Sequence, residues 1–201
     1  MNAGERNPYL RPRVHAYTGL CALLLGVLPA PWHIVLAGGG VFLGWVAFPL
    51  SGIDTLLRRP GERFLGGLRT YPIAVLGLVL LLPRAEAAAA WGVLAFGDAA
   101  ASIYGRAIPA PAVFGHPKAT WVGSAAYVLV GGIAAWCLGA GVVSLAEGTG
   151  WVEAGMAPSL VACLAAGLAA AILDLVPLPP DDNLPAAAAA GGVLHLLRNM
   201  L

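Results

Sequence analysis

Residues 85–106 read AEAAAAWGVLAFGDAAASIYGR. The run opens on alanine, the strongest helix former. It stays mostly apolar or small through Gly97, then sets Asp98 before its end and Arg106 at its close. The pattern predicts an apolar helix over 85–104. A carboxylate at that depth in hydrocarbon is costly unless it pairs with a cation or a metal, so a functional role is the first reading of Asp98. A structural ion pair with Arg106 or Lys118 is the second. Ser102 follows four residues on and Arg106 four more, which puts all three on one helical face. Gly97 and the alanines 99–101 are small enough to let a ligand approach the backbone.

The flanking chain has the same character. Of its 201 residues, 59% are hydrophobic and 10% charged, against about a quarter charged in an average soluble domain. Nucleic acid is not an expected partner. A membrane-crossing helix needs about 20 mostly apolar residues, and apolar segments fall near 14–29, 33–50, 71–82, 85–104, 121–145, 156–176 and 184–197. The expectation is an all-α, polytopic integral membrane bundle of about seven transmembrane helices, forming a single catalytic domain over 1–201. The first segment follows arginines as a signal peptide would, but without a small-residue cleavage site, and is read as a retained span.

Basic residues give the orientation. With seven crossings, Arg6, Arg11, Arg13, Arg58, Arg59, Arg63, Arg69, Arg106 and Lys118 share one side, and Arg84 and Arg198 the other. Nine against two predicts a cytoplasmic N-terminus and a site that meets its substrate from the cytosol. The polar interval 51–69 is read as an orientation-setting loop or a surface amphipathic helix.

Two further groups join Asp98 on that side. Lys118, Thr120, Gly123 and Ser124 sit where the fifth segment begins, so first-turn N–H groups and a positive dipole end would face an anion there. Lysine supplies a point charge and Arg106 a fork for two phosphate oxygens; each alone also reads as a snorkelling cation. Asp174, Asp181, Asp182 and Asn183 offer hard oxygen ligands suited to Mg²⁺ beside substrate phosphates, although Asp182-Asn183 equally reads as a helix cap. Cys21, Cys137 and Cys163 read as small hydrophobes rather than a disulfide or metal set. His15 and His116 are acid/base candidates whose plainer reading is structural, and His33 and His195 fall on the opposite side.

Gly97-Asp98-x-x-Ala101-Ser102-x-x-Gly105-Arg106 resembles a block of the polyprenol kinase family, which includes dolichol kinase, phytol kinase and CTP-dependent diacylglycerol kinase and is akin to the phosphatidate cytidylyltransferases. Lys118-Ala119-Thr120-Trp121-Val122-Gly123-Ser124 is similar to the family's second block, with one residue of offset. Asp174 with Asp182-Asn183-Leu184-Pro185 resembles the third, with Asp174 in place of a glutamate. Arg11-Pro12-Arg13-Val14-His15 echoes an early basic and histidine element.

The resemblance implies transfer of the terminal phosphate of a nucleoside triphosphate, CTP, to a lipid alcohol such as phytol, dolichol or diacylglycerol at the cytoplasmic face. It implies Mg²⁺ on Asp98, Asp182 and Asn183, with Asp174 a further candidate. Catalytic roles would fall to Asp98, Lys118 and Asp174, and phosphate binding to Ser102, Arg106, Lys118, Thr120, Gly123 and Ser124. Either Asp98 or Asp174 would orient the lipid hydroxyl. The alternatives are a CTP-dependent phosphatidate cytidylyltransferase and a non-enzymatic transporter or scaffold.

Overall fold

The structure is a computed structural model that describes residues 9–57, 66–116, 119–176, 178 and 181–198. Arg6, Arg58, Arg59, Arg63 and Lys118, used above for orientation or phosphate binding, lie outside the described residues. Those residues form helices α1 (Leu10–Leu20), α2 (Trp32–Ser51), α3 (Gly67–Leu81), α4 (Arg84–Ala107), α5 (Trp121–Thr149), α6 (Leu160–Asp174) and α7 (Asn183–Leu197). A 3-10 turn, Cys21–Gly26, prolongs α1, and only one helical turn, Asp54–Leu57, is described within the polar interval. Helix boundaries follow local chemistry. Gly52 and Gly150 take the left-handed conformation that ends α2 and α5, while the side chains of Thr120 and Ser159 cap α5 and α6.

Among the described residues, α2, α4 and α5 are long and apolar enough to cross a membrane. Helices α3, α6 and α7 have 15 residues each, a length of about 22 Å against a hydrocarbon core of roughly 30 Å.

Helix α4 is the hub. Its alanines from 85 to 90 are almost wholly buried, with Ala85, Ala88, Ala89 and Ala90 at 0% exposure, because a methyl side chain lets neighbours close in on several sides. Helix α5 packs along α4 and α6, α7 closes against α6 and α3, and α1 leans on the second half of α4. Helix α2 lies at the periphery and touches chiefly α3. It leaves Val35, Phe42, Leu43 and Leu50 exposed, as a lipid-facing helix does.

Glycines set the closest approaches. A Cβ added to Gly131 would meet Gly97 Cα at 3.1 Å, and one added to Gly123 would meet Gly105 Cα at 3.3 Å, so α4 and α5 run backbone against backbone at two levels. In α3, Pro72 has no N–H to return to the Leu68 carbonyl, and Gly44 of α2 lies against that carbonyl and the proline ring. Gly44 thus makes the close packing of α2 on α3, while a Cβ added to Gly40 would stand 3.7 Å from Pro72 Cβ. The three cysteines are free; Cys163 is buried and Cys137 is exposed on α5, so only the former is a core residue.

Helices α2 and α4 each carry a five-residue π turn, at Leu43–Ala47 and at Val93–Gly97. The second lies immediately before Asp98.

Candidate functional site

At the C-terminal end of α4 the helices part around a cavity of about 440 Å³. Asp98, Ser102, Arg106, Thr120, Gly123, Ser124, Asp174 and Asp182 all line it. Four separate stretches deliver them: the second half of α4, the first turns of α5, the last turn of α6 and the residue before α7. The cavity lies far from the other polar cluster of the molecule. There Arg84 donates to the Leu25 and Leu28 carbonyls and contacts His33 at 3.2 Å, and Glu86 pairs with His195 at 3.0 Å and Arg198 at 3.5 Å. Asp98 follows Arg84 by fourteen residue steps along α4, or about 21 Å.

Helical spacing is borne directly by one contact. Arg106 Nη2 donates to Ser102 Oγ at 2.6 Å, one turn back toward Asp98. Gly97, expected to admit a ligand, is instead covered by the Tyr127 ring, which a Cβ there would meet at 2.6 Å. Ala99 and Ala100 are buried by packing as well, and only Ala101 of that run faces the cavity.

The described residues of the loop, 108–116 and 119–120, fold back as a short hairpin. Ala112 pairs with Thr120 in an isolated bridge, Val113 N–H donates to the Ala119 carbonyl at 3.0 Å, and Ala119 N–H donates to His116 Nδ1 at 3.1 Å. His116 therefore braces the loop from the cavity wall. The first-turn amides of α5, expected to face an anion, are largely engaged. Trp121 N–H donates to the Pro111 carbonyl, Gly123 N–H to Thr120 Oγ1 at 3.1 Å, and Ser124 N–H to the Thr120 carbonyl. The Thr120 and Ser124 hydroxyls and the dipole end of the helix remain as the contribution of α5 to the cavity. Lys118 lies outside the described residues, between the lining residues His116 and Ala119.

The acidic loop divides its labour. Asp181 Oδ1 accepts from Asn183 N–H at 2.9 Å, from Asn183 Nδ2 at 2.6 Å and from the Thr70 hydroxyl at 2.9 Å. Asp181 thus caps α7 and ties it to α3. Asp182, at the N-cap position, makes no side-chain cap bond; its carboxyl hydrogen-bonds to that of Asp181 and lines the cavity. Burial, and then the negative charges of Asp181, Asp174 and Asp98, push that carboxyl up to about 8. Asn183, expected among metal ligands, is buried behind the lining. Its amide donates to Asp181, to Thr70 Oγ1 at 3.1 Å and to the Gly67 carbonyl at 3.4 Å, because as the first residue of α7 it turns toward α3. The Arg11 guanidinium lies over Gly67 beside it.

Among the described residues no three His, Cys, Asp or Glu side chains converge as a ready-made metal shell. The donor chemistry nevertheless fits a hard dication. Three carboxylates face one cavity, burial and then the charges of its acidic neighbours raise Asp182, and Mg²⁺ usually takes one or two carboxylates and completes its shell with phosphates and water.

A partner that local sequence spacing could not show is His15. It is buried, its Nδ1–H donates to Asp98 Oδ2 at 3.1 Å, and its ring stacks on Tyr71 with centroids 4.4 Å apart. Tyr71 in turn accepts from Trp91 Nε1 at 2.9 Å and pairs with the Thr18 hydroxyl at 3.0 Å. This network of α1, α3 and α4 holds Asp98 from behind. It also forms the inner end of a second, apolar cavity of about 530 Å³ between α1, α2 and α3.

The chain matches no family model, no curated protein and no solved structure. The geometry alone therefore limits the chemistry. A polar cavity lined by three carboxylates, one guanidinium and the hydroxyl-bearing Ser102, Thr120, Ser124 and Tyr127, at the end of apolar helices, suits a small multiply charged anion held with a dication. Tyr127 was not legible as a lining residue, although it stands one turn after Gly123 and so on the same face of α5.

Proposed function

We propose that the chain is a membrane lipid kinase that moves the terminal phosphate of a nucleoside triphosphate, CTP, to the hydroxyl of a lipid alcohol. The observation that carries this reading is the convergence of Asp98, Asp174, Asp182 and Arg106 on one cavity that adjoins an apolar one. In this reading all seven helices belong to the membrane bundle, with the polar cavity on the cytoplasmic side.

The acceptor oxygen forms a bond to the γ-phosphorus while the bond from that phosphorus to the β–γ bridging oxygen breaks. CDP leaves with the electron pair, and the hydroxyl proton passes to a carboxylate. Such reactions need positioning and charge neutralisation more than covalent help from the protein. Arg106 presents its fork to phosphate oxygens, held near the cavity by Ser102. The Thr120 and Ser124 hydroxyls donate to the same anion, and Lys118 adds a charge. Mg²⁺, held by Asp174 and Asp182, would supply neutralisation of phosphate charge. Asp98 receives the proton through His15, which takes the hydroxyl proton at Nε2 and gives up its Nδ1 proton to the Asp98 carboxylate at the boundary between the two cavities. Asn183 and Thr70 act through Asp181 as positioning residues.

The test supplies membranes with γ-labelled and α-labelled CTP in parallel, with Mg²⁺, a panel of lipid alcohols and phosphatidic acid, beside an Asp98→Ala control. Label entering lipid from the γ position alone, and lost in the control, is the expected result. Label from the α position would mean a cytidylyltransferase. No transfer from either, with the protein folded, would leave a transporter or scaffold.

A further inference from the structure

The apolar cavity is built as a site and not as a packing defect. Its volume of about 530 Å³ lies within the range of ligand pockets, about 300–1,000 Å³. Val35 and Phe42 line it and are also more than half exposed on α2, so it opens sideways at the periphery of the bundle. Its polar groups are confined to the inner end, at His15, Thr18, Tyr71 and Trp91. Tyr71, Thr18 and Trp91 satisfy one another. His15 commits Nδ1 to Asp98, which leaves Nε2 as the ring atom to meet a guest.

No Asp, Glu, Lys or Arg lines this cavity among the described residues. An ionised lipid phosphate would be left uncompensated here, at a cost that an uncharged headgroup avoids. Asp98 lines the polar cavity and His15 the apolar one, and 3.1 Å separates their hydrogen-bonded atoms. The two cavities meet at that bond. A hydroxyl anchored on His15 is therefore delivered to the edge of the phosphate site, where reacting atoms must come within about 3–3.5 Å.

We propose that this cavity receives the hydrocarbon chain of an uncharged lipid alcohol, whose hydroxyl donates to His15 Nε2 beside Asp98. The proposal rests on the transferase reading above, and it selects the alcohol over the lipid phosphate as acceptor. The chain reaches the cavity from the bilayer past α2. Gly40 keeps the cavity open: a Cβ there meets nothing closer than Pro72 Cβ at 3.7 Å, an ordinary contact, so a larger side chain fills space without a clash.

The test uses the full chain in phosphatidylcholine nanodiscs without nucleotide. The probe is a long-chain prenyl alcohol carrying a diazirine at its far end, photolysed and mapped by mass spectrometry. Adducts are expected within 14–21, 35–48 and 68–75. They should be displaced by unlabelled prenyl alcohol but not by its phosphate ester, and Gly40→Leu should lower their yield at least about tenfold. His15→Phe should keep the adducts but lose label transfer. Adducts mapping elsewhere, or displaced equally by the phosphate ester or by phosphatidylcholine, would overturn the proposal; the wild-type map decides this even if Gly40→Leu does not fold. Adducts at these residues without label transfer would sink the kinase reading and leave the lipid site standing. Transfer that persists in a folded Gly40→Leu would do the reverse.

Discussion

Replacing Asp182 with Asn should flatten the dependence of stability on pH. The Asp182 carboxyl titrates at about 8 in the folded protein against 3.8 ordinarily, chiefly because it is buried and then because Asp181, Asp174 and Asp98 oppose its charge. The folded state therefore keeps a proton that the unfolded chain gives up. Its stabilisation is complete below the unfolded value and is lost as pH rises through the folded one. For one proton the slope is at most about 1.4 kcal/mol per pH unit. Between pH 5 and 7 the wild type should lose up to about 2.7 kcal/mol that the variant retains. For a chain of this size that corresponds to a difference of about 5–10 °C in Tm. The assay is thermal unfolding in detergent micelles with EDTA at four pH values from 5 to 8, followed by tryptophan fluorescence. Saturating Mg²⁺ should narrow the gap between pH 5 and 7 in the wild type, because a dication takes the place of the proton. Parallel curves for the two proteins across the range would refute the claim that Asp182 faces a crowded set of carboxylates.

Gly131→Leu should lower Tm through an overpacking cost of about 1–3 kcal/mol, since its Cβ would strike Gly97 Cα at 3.1 Å and the Val93 carbonyl at 3.3 Å; Gly192→Leu, with nothing within 4 Å, is the control. Arg106→Ala should raise the KM for nucleotide by about 10- to 150-fold, the equivalent of one charge-assisted hydrogen bond, and Arg106→Lys should restore only part of it because lysine lacks the fork. Thr70→Val removes one of the three donors to Asp181 Oδ1 and should cost about 1.5–3 kcal/mol in thermal unfolding, with Thr70→Ser close to wild type.

What could be read from the sequence was what depends on local spacing. Four-residue steps put Asp98, Ser102 and Arg106 on one face, and Arg106 indeed bonds to Ser102. Long apolar runs broken by Pro and Gly placed the helices within a few residues, since those breakers act on the backbone where they stand. What could not be read was which of several similar groups does which job. Asp181 and Asp182 are adjacent and chemically identical, yet the φ/ψ of Asp182 turns one carboxylate back to cap α7 and the other into the cavity. The first turn of α5 looked open to anions, but the returning hairpin fills it with Pro111 and the Thr120 side chain. His15 stands 83 residues from Asp98, and pairing at that range depends on how α1 leans on α4.

The two π turns and the two cavities occur together. Leu43 and Gly44 belong to one turn and line the apolar cavity; the other turn delivers Asp98 to the polar one. A π turn carries one residue more than an α turn, and each residue advances an α-helix by about 100°. The halves of α4 therefore answer to different neighbours: the alanine half keeps the angular phase that packing demands, and the half bearing Asp98 keeps its own. Deleting a single residue from 93–97 would leave every side chain of the site chemically intact and rotate Asp98, Ser102 and Arg106 away from their cavity at once.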